Sequence, residues 1–305
     1  MCSSIWPISW TLRFRSKSTS EIRLVTHSRR DITTLLEEHG LAPRRAFGQN
    51  FVADPNTVRR IARLAHVSST DHVIEIGAGL GSLTLALAET GAKITAIEVD
   101  HGVAPVLRHV VRDLPNVTVI EGDARELDWN RLAPDHGPDH EHGAVVVANL
   151  PYNVATPLVA DLLDDVPGVR RIVVMVQKEV AQRLAAQPGS SDYGAVSVKV
   201  AYWGTARILG DVPPTVFVPR PKVTSSIIEV VRHDRPAVDV DREVLFSLVR
   251  AGFQQRRKML RRSLADRVEP AMFAAAGVSP EARPEELDVY AWGRLTTAVC
   301  AGARA

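Results

Sequence analysis

Cysteines and long apolar runs are both scarce in this sequence. Only two of its 305 residues are cysteines, Cys2 and Cys300, at opposite ends of the chain. Two such distant residues support neither a disulfide framework nor a cysteine-based zinc site, so the composition permits a reducing compartment. No apolar run approaches the ~20 residues that a membrane-spanning helix needs. We therefore expect a cytoplasmic protein that is not inserted in a membrane.

Net charge is also small. The formal charge is +2 at pH 7, with 24% charged and 45% hydrophobic residues. This composition is typical of a globular protein, and the length allows one large domain plus a small one. A balanced total still leaves room for a local basic patch that binds a polyanion.

The first 27 residues are rich in serine and arginine and contain a single acid, Glu21. This composition is typical of a transit peptide, but it also fits a disordered tail or a translation start assigned too far upstream. We favour the last two interpretations. We predict that residues 1–27 are a disordered extension and that residues 1–24 are dispensable or absent from the natural protein.

Short apolar runs alternate with helical patterns from about residue 55 to 230. The runs are 71–76, 93–99, 116–120, 144–148 and 171–176. They predict buried parallel strands of an α/β sheet. Two later runs, 195–202 and 223–231, predict an antiparallel pair at one edge. The pattern becomes helical after Arg235-Pro236, so we divide the fold into a catalytic domain, 28–234, and a helical domain, 235–305.

The segment 134–143 is rich in Pro, Asp, His and Gly and contains His136, His140 and His142. No helix or strand pattern brings these histidines together in the way that a metal site needs. We therefore predict a solvated loop, and no metal in the protein.

A glycine-rich turn, Glu-Ile-Gly-Ala-Gly-Leu-Gly at 75–81, follows one strand and begins a helix. Glycines let the backbone turn sharply and approach a ligand closely. The third glycine of the dinucleotide fingerprint is replaced by Ser82, and no phosphate-loop lysine follows. The turn, beginning at Gly77, therefore favours a nucleoside cofactor without a pyrophosphate, such as S-adenosylmethionine.

Two acids end the next two strands. Glu98 lies where an acid can accept hydrogen bonds from ribose hydroxyls. Asp123, in a Gly-Asp turn, is a candidate acceptor for the 6-amino group of a bound adenine, although such a turn is also a generic strand ending.

Asn149-Leu150-Pro151-Tyr152 ends the fourth strand and is the most diagnostic segment. The exocyclic amine of adenine is a poor nucleophile because its lone pair is delocalised into the ring. The side-chain oxygen of Asn149 and the carbonyl of Leu150 could hold this amine with its lone pair directed at a methyl donor. Pro151 would fix the backbone, and Tyr152 would stack on a flipped base. Catalysis is then mainly positioning and electrostatics.

With these motifs in order, the chain resembles the ribosomal small-subunit RNA adenine dimethyltransferases, relatives of the erythromycin-resistance RNA methyltransferases. The resemblance runs from about Leu41 to Leu295 and includes Phe-Gly-Gln-Asn-Phe at 47–51, Tyr193-Gly194 and Phe-Val-Pro-Arg-Pro-Lys-Val at 217–223. It implies a seven-stranded Rossmann-like sheet with a small helical domain. It also implies that Asn50 and the backbone of Val52 close over S-adenosylmethionine, that Asn149 lies beside this cofactor, and that the substrate is two adjacent adenosines near the 3′ end of 16S rRNA.

A basic segment in the helical domain could bind RNA phosphates. On a continuous helix, Arg257 and Arg261 would be like charges at i, i+4, which destabilise a helix by ~0.2–0.5 kcal/mol per pair unless an anion relieves them. A solvated helix face is the usual explanation of such a run, but the Phe-x-x-Arg-Arg-Lys pattern at 253–258 also matches the family. We predict RNA contacts by Arg256, Arg257, Lys258, Arg261 and Arg262.

The motifs predict a methyltransferase that acts on adenine N6, and the resemblance implies a monomeric enzyme that dimethylates this amine in 16S rRNA of the small ribosomal subunit or its precursor. One alternative is a 23S rRNA methyltransferase of the macrolide-resistance type, which shares almost every motif. Another is a ribosome-assembly factor that keeps the fold without depending on catalysis. A DNA adenine methyltransferase is disfavoured, because no segment resembles a DNA target-recognition domain.

Overall fold

The structure is a computed structural model that describes residues 26–44, 48–135 and 143–302. The predicted extension up to residue 25, Arg45 and Phe47 lie outside the described residues, as do the three histidines of the 134–143 loop. The interpretations given to them stay predictions.

Thr26 and His27, which we assigned to the extension, pack against the fold. Thr26 is buried, and His27 Nε2 donates a 2.9 Å hydrogen bond to the carbonyl oxygen of Leu80 in the glycine turn. Burial lowers the pKa of His27, which favours its neutral form. The packed part of the chain therefore begins before residue 28.

Strands in the described part of the chain form one large and one small sheet. Their bounds are β1 (Phe51–Val52), β2 (His72–Ile76), β3 (Lys93–Glu98), β4 (Val117–Glu121), β5 (Ala144–Asn149), β6 (Val169–Gln177), β7 (Gly204–Val212), β8 (Phe217–Val218) and β9 (Ser225–Arg232). The large sheet has seven strands in the order β4-β3-β2-β5-β6-β9-β7, and β1 pairs with β8. Within it, β9 runs antiparallel to both of its neighbours. The expected seven-stranded Rossmann-like sheet is confirmed.

Helices cover both faces of this sheet and form the end of the chain. Their bounds are α1 (Arg29–Glu38), α2 (Pro55–Leu64), α3 (Ser82–Ala88), α4 (Ala104–Val111), α5 (Trp129–Leu132), α6 (Ala155–Asp165), α7 (Lys178–Leu184), α8 (Ala195–Trp203), α9 (Arg242–Gln254), α10 (Leu260–Ser263), α11 (Pro270–Ala276) and α12 (Val289–Gly302). Among these described helices, none is long and apolar enough to cross a bilayer.

Helices cover both faces of each central strand, so side chains on both faces are buried. This explains why the strand runs are almost wholly apolar. On β5, Val146 packs with α6 and α7, whereas Val145 and Val147 pack on the other side with α2, α3 and α4. This alternation follows from the period of two along a strand. The parallel strands therefore have a defined register, and their carboxyl ends lie along one edge of the sheet.

The expected strand at 195–202 is wrong: this run is helix α8. Its alternating valines resemble a strand, but the helix lies between two cores, so apolar residues are needed around most of its circumference. Val200 joins the sheet core, whereas Val198 and Tyr202 join the core of the C-terminal helices. The antiparallel edge pair exists, but β7 takes the place of 195–202.

The expected helical end of the chain is confirmed, since no strand follows Arg232 among the residues described up to 302. Trp292, Phe273 and Leu245 form its core. Tyr193 and Tyr202 belong to the same core although they precede residue 235. The second core therefore begins before the predicted domain boundary.

Candidate cofactor and catalytic site

A cavity at the carboxyl edge of the sheet brings most of the predicted site residues together. It is lined by the ends of β2, β3 and β5 and by residues 48–52, here called the strap. The described lining residues are Gly48, Gln49, Asn50, Phe51, Val52, Glu75, Gly77, Ala78, Gly79, Leu80, Ser82, Leu83, Glu98, Val99, Asn149, Leu150, Pro151 and Tyr152.

The glycine turn needs glycine for its backbone conformation and for a close contact. Gly77, Gly79 and Gly81 have φ values of +71°, +56° and +85°, which residues with a side chain rarely adopt. A Cβ on Gly79 would lie 3.0 Å from the ring of Phe51 in the strap. The amides of Gly77 and Ala78 both donate to the carbonyl oxygen of Ile97, which fixes the turn beside β3.

Glu98 lies at the end of β3 and is 5% exposed. Its carboxylate accepts hydrogen bonds from the amides of Gly79, at 2.7 Å, and Asp100, at 2.9 Å. Burial raises the pKa of Glu98, and the two amide bonds oppose that effect by favouring the charged form. Each carboxylate oxygen retains a second acceptor position for a ligand hydroxyl.

Asp123 differs from the other predicted residues, because it is not among the residues that line the cavity. Its carboxylate binds the Arg125 guanidinium through contacts of 3.1 Å to Nε and 2.6 Å to Nη2. This pairing lowers the pKa of Asp123. Its predicted contact with adenine stays a prediction.

Glu75 is a site residue to which the sequence interpretation gave no role. It lines the cavity, is fully buried in β2 and accepts a 2.6 Å hydrogen bond from the Thr84 hydroxyl. Burial raises its pKa to about 8, and the nearby charge of Glu98 acts in the same direction. An acid within an apolar strand next to the glycine turn was the available signal.

Asn149 ends β5 with its side-chain amide in a defined orientation. Its Nδ2 donates a 2.9 Å hydrogen bond to the backbone carbonyl oxygen of Asn50 in the strap. A carbonyl can only accept, so the nitrogen must face Asn50 and Oδ1 is turned the other way. The acceptor that the amine clamp requires is therefore directed away from the strap.

The rest of the Asn-Leu-Pro-Tyr segment is held on both sides. The Leu150 amide donates to the carbonyl oxygen of Met175 in β6, and the Pro151 carbonyl oxygen accepts from Val154. Tyr152 shares a 2.8 Å hydrogen bond between its hydroxyl and that of Ser225 at the start of β9. Burial raises the pKa of Tyr152, so the ring is a neutral platform beside the cavity.

The predicted RNA-binding residues are not on one helix. Helix α9 ends at Gln254 and α10 begins at Leu260, because the backbone of Leu260 and Arg261 bonds instead to the carbonyls of Ala282 and Pro280. The inference from like charges at i, i+4 on a continuous helix is therefore wrong. Arg257, Lys258, Arg261 and Arg262 are exposed in this region.

Arg256 is held by several hydrogen bonds to other segments of the chain. Its Nε donates to Glu285 at 2.5 Å, and its Nη2 donates to the carbonyl oxygens of Ser191, at 2.6 Å, and Ser190, at 3.3 Å. These bonds tie the α9–α10 turn to two other segments. Arg256 is therefore already engaged where a phosphate contact was predicted.

The charges of the side chains that line the cavity indicate which kind of ligand it can bind. Its described lining contains two buried acids, Glu75 and Glu98, and no lysine, arginine or histidine. Such a lining offers no cationic side chain to a pyrophosphate, and the Glu98 carboxylate suits a ligand that combines hydroxyls with positive charge, as S-adenosylmethionine does. No group of three or more metal-ligating side chains occurs within the described ranges. Fold and cavity together define a Rossmann-like methyltransferase.

Comparison with known proteins identifies the family within this class. Residues 40–297 match the family described as ribosomal RNA adenine dimethylase, and the chain belongs to this family, whose cofactor is S-adenosylmethionine. A relative from Bifidobacterium longum subsp. infantis is 42% identical over 287 residues, covering 88% of this chain and 92% of its own. One from Kineococcus radiotolerans is 43% identical over 290 residues, covering 91% and 93%. Both are named ribosomal RNA small subunit methyltransferase A.

Solved structures support the fold. The 23S rRNA methyltransferase ErmE has a TM-score of 0.63 at 24% identity, covering 82% of this chain and 100% of its own. A dimethyladenosine transferase from Plasmodium falciparum has a TM-score of 0.64 at 24% identity, covering 79% and 94%. Structures with either named activity therefore share this architecture, so the fold alone does not select the RNA substrate.

Proposed function

We propose that this protein transfers methyl groups from S-adenosylmethionine to the N6 amines of two adjacent adenosines near the 3′ end of 16S rRNA. The observation that carries the proposal is the orientation of Asn149, whose Oδ1 is turned away from the strap by the Nδ2 bond to Asn50. The names of relatives at 42–43% identity favour the small-subunit substrate over the 23S alternative.

Residues at different positions of the cavity bind different parts of the cofactor. Glu98 binds the ribose, while Asn50 and Val52 of the strap and the turn from Gly77 enclose the cofactor. The Asp123 carboxylate accepts a hydrogen bond from the 6-amino group of the cofactor's adenine, which requires that one of its acceptor positions is not taken by Arg125. When bound, the cofactor supplies an electrophilic methyl group on a sulfonium.

Asn149 Oδ1 and the Leu150 carbonyl oxygen accept hydrogen bonds from the N–H groups of the target amine, which directs the lone pair of its nitrogen out of the ring plane. Pro151 restricts the backbone that carries the second acceptor, and Tyr152 stacks on the base. Formation of the N6–methyl bond would break the methyl–sulfur bond, leave a neutral thioether and make N6 cationic. A cationic N6 is acidic and would release its proton to water without a strong base, so the rate gain comes from orientation and fixed dipoles.

Exposed cations near the α9–α10 turn bind the RNA backbone in this proposal. Arg257, Lys258, Arg261 and Arg262 contact phosphates, whereas Arg256 supports the turn. The protein acts as a monomer in the cytoplasm, on the small subunit or its precursor.

Mass spectrometry of rRNA from a strain lacking this protein tests the proposal. Dimethyladenosine should disappear from the 3′-terminal region of 16S rRNA and return with the wild-type gene, but not with Asn149→Ala. Loss of a 23S modification instead would support the macrolide-resistance alternative. Unchanged modification of both rRNAs, with defective subunit assembly, would support the assembly-factor alternative.

A further inference from the structure

Asp100, just beyond the end of β3, has a buried carboxylate to which the proposed chemistry gives no role, although its backbone amide donates to Glu98. It is 2% exposed. Its oxygens accept hydrogen bonds from Gln49 Nε2 at 2.9 Å, Arg44 Nη1 at 3.2 Å and the Gly102 amide at 2.9 Å. Burial of a carboxylate is costly unless such bonds replace water. Two of the three donors come from the strap or the segment leading into it, so Asp100 anchors the strap.

Gln49 has a single amide orientation in this anchor. Its Oε1 accepts from the Arg44 backbone amide at 2.8 Å, while its Nε2 donates to Asp100. A backbone N–H can only donate and a carboxylate paired with an arginine accepts, so rotating the amide would break both bonds. The side chain of Gln49 is therefore fixed at both of its polar atoms.

The strap is held again at its far end, where Phe51 and Val52 pair with Val218 and Phe217. The Asn50 carbonyl lies between this pairing and the Gln49–Asp100 bond. It is the acceptor of the Asn149 Nδ2 bond. The two anchors thus set the position of the oxygen that orients the Asn149 amide.

We propose that Gln49 and Asp100 are positioning residues for methyl transfer, which act through the strap on Asn149. The inference rests on the proposed function. A shift of about 1 Å in a reacting group can slow a reaction by ~100-fold, so a loosened strap weakens the chemical step even when RNA and cofactor are bound.

A reciprocal exchange tests this proposal. Asp100→Asn brings an amide donor against the Gln49 donor, and Gln49→Glu brings a carboxylate against Asp100. The double variant Gln49→Glu/Asp100→Asn restores one donor and one acceptor with their roles reversed. Single-turnover methyl transfer to small-subunit particles is measured at saturating S-adenosylmethionine and particle, with particle affinity measured separately by filter binding.

Each single variant should slow single turnover by ~10–100-fold, with particle affinity unchanged, and the double variant should recover most of the loss. Asp113→Asn, a change at an acid with 63% side-chain exposure after α4, is the control and should match wild type. Gln49→Ala introduces no repulsion and should also slow turnover, which keeps the test decisive if the exchanged variants do not fold.

The outcomes separate this inference from the proposed function. No methyl transfer by the wild-type protein would contradict the function itself. Transfer by wild type together with full-rate turnover by both single variants, or by Gln49→Ala, would overturn the positioning role. Slow single variants without recovery in the double variant would also overturn it, because the effect would not depend on the Gln49–Asp100 bond.

Discussion

The carboxyl edge of the sheet and the basic α9–α10 turn hold their functional side chains in opposite ways. At the edge, Glu98 and Asn149 both bond to backbone groups of other segments. In the turn, Arg257, Lys258 and Arg262 are exposed, and the 3.6 Å pair between Arg261 and Glu281 lies in solvent, with side chains 50% and 66% exposed. One region fixes its functional side chains by hydrogen bonds within the fold, and the other presents charge on exposed side chains.

The difference follows from what each region is proposed to do. Methyl transfer depends on the direction of one lone pair, so its acceptors must be fixed beforehand. Phosphate binding gains mainly from released counterions and tolerates many side-chain conformations. Arg256 belongs to the basic run by sequence, but like the edge residues it is hydrogen-bonded to other segments of the chain.

The largest expected effect is at Asn149. Asn149→Ala removes the oriented acceptor, and we expect single-turnover methyl transfer to fall by at least ~100-fold. Cofactor affinity, measured by calorimetry, should stay nearly unchanged. Asn153→Ala alters an exposed asparagine in the same turn and is the matched control. A nearly normal rate for Asn149→Ala would contradict the amine clamp.

Removal of Glu98 should affect binding instead. Glu98→Ala should weaken S-adenosylmethionine binding by ~1.5–3 kcal/mol, the usual range for charge-assisted hydrogen bonds. Glu121 is paired in register with Glu98 on the neighbouring strand but is not among the cavity-lining residues, so Glu121→Ala should bind normally. Calorimetry that shows equal affinity for Glu98→Ala and wild type would remove Glu98 from the site.

The buried acid Glu75 at the sheet edge should make the free energy of unfolding depend on pH, which the exposed residues of the basic turn should not do. Its pKa is raised from 4.5 to about 8 by burial. Between these two pH values the folded protein keeps the Glu75 proton, whereas the unfolded chain has lost it. The associated stability is fully present below pH 4.5 and is lost as pH rises towards 8, by up to ~1.4 kcal/mol per pH unit.

Glu75→Gln keeps an acceptor for Thr84 but cannot ionise. Its free energy of unfolding, from urea titrations between pH 5 and 8, should therefore fall less steeply than that of wild type. Glu98 retains its own contribution, since its pKa is also raised. Glu37→Gln, a change at an exposed acid of α1, should leave the slope unaltered. Parallel curves for Glu75→Gln and wild type would show that Glu75 does not retain its proton.

Most of the sheet and the cavity could be predicted because the signals are local. A buried parallel strand is apolar on both faces. Its functional residue is the last residue of the strand, as for Glu98 and Asn149, or the next one, as for Gly77. Spacing along the chain therefore translates directly into a place on one edge. The resemblance to a family added the strap, whose role no pattern in 48–52 reveals alone.

What the sequence could not predict depends on tertiary neighbours. Helix α8 has the alternation of a strand because it is buried between two cores, and alternation does not distinguish these cases. The Gln49–Asp100 bond joins residues far apart in sequence. Arg256 and Leu260 break the expected helix through contacts with 280–285, which a charge run does not reveal.

The smallest effect is expected in the basic turn, and it tests whether the exposed residues differ from Arg256. If Arg257 and Arg261 both touch phosphate, replacing them with Gln should flatten the dependence of log affinity on log salt by up to about 1.4–1.8 units. Filter-binding titrations of small-subunit particles across a salt series measure this slope, and cofactor affinity should not change.

Two further variants complete this test. Arg63→Gln, a change at an exposed arginine near the end of α2, should leave the slope at the wild-type value. Arg256→Gln should lower the midpoint of thermal unfolding, because it breaks the bonds to Glu285 and Ser191, with little change in slope. If Arg256→Gln flattened the slope as much as the Arg257/Arg261 pair, the distinction between a structural and a phosphate-binding arginine would fail. An unchanged slope for that pair would make the exposed run an ordinary solvated surface.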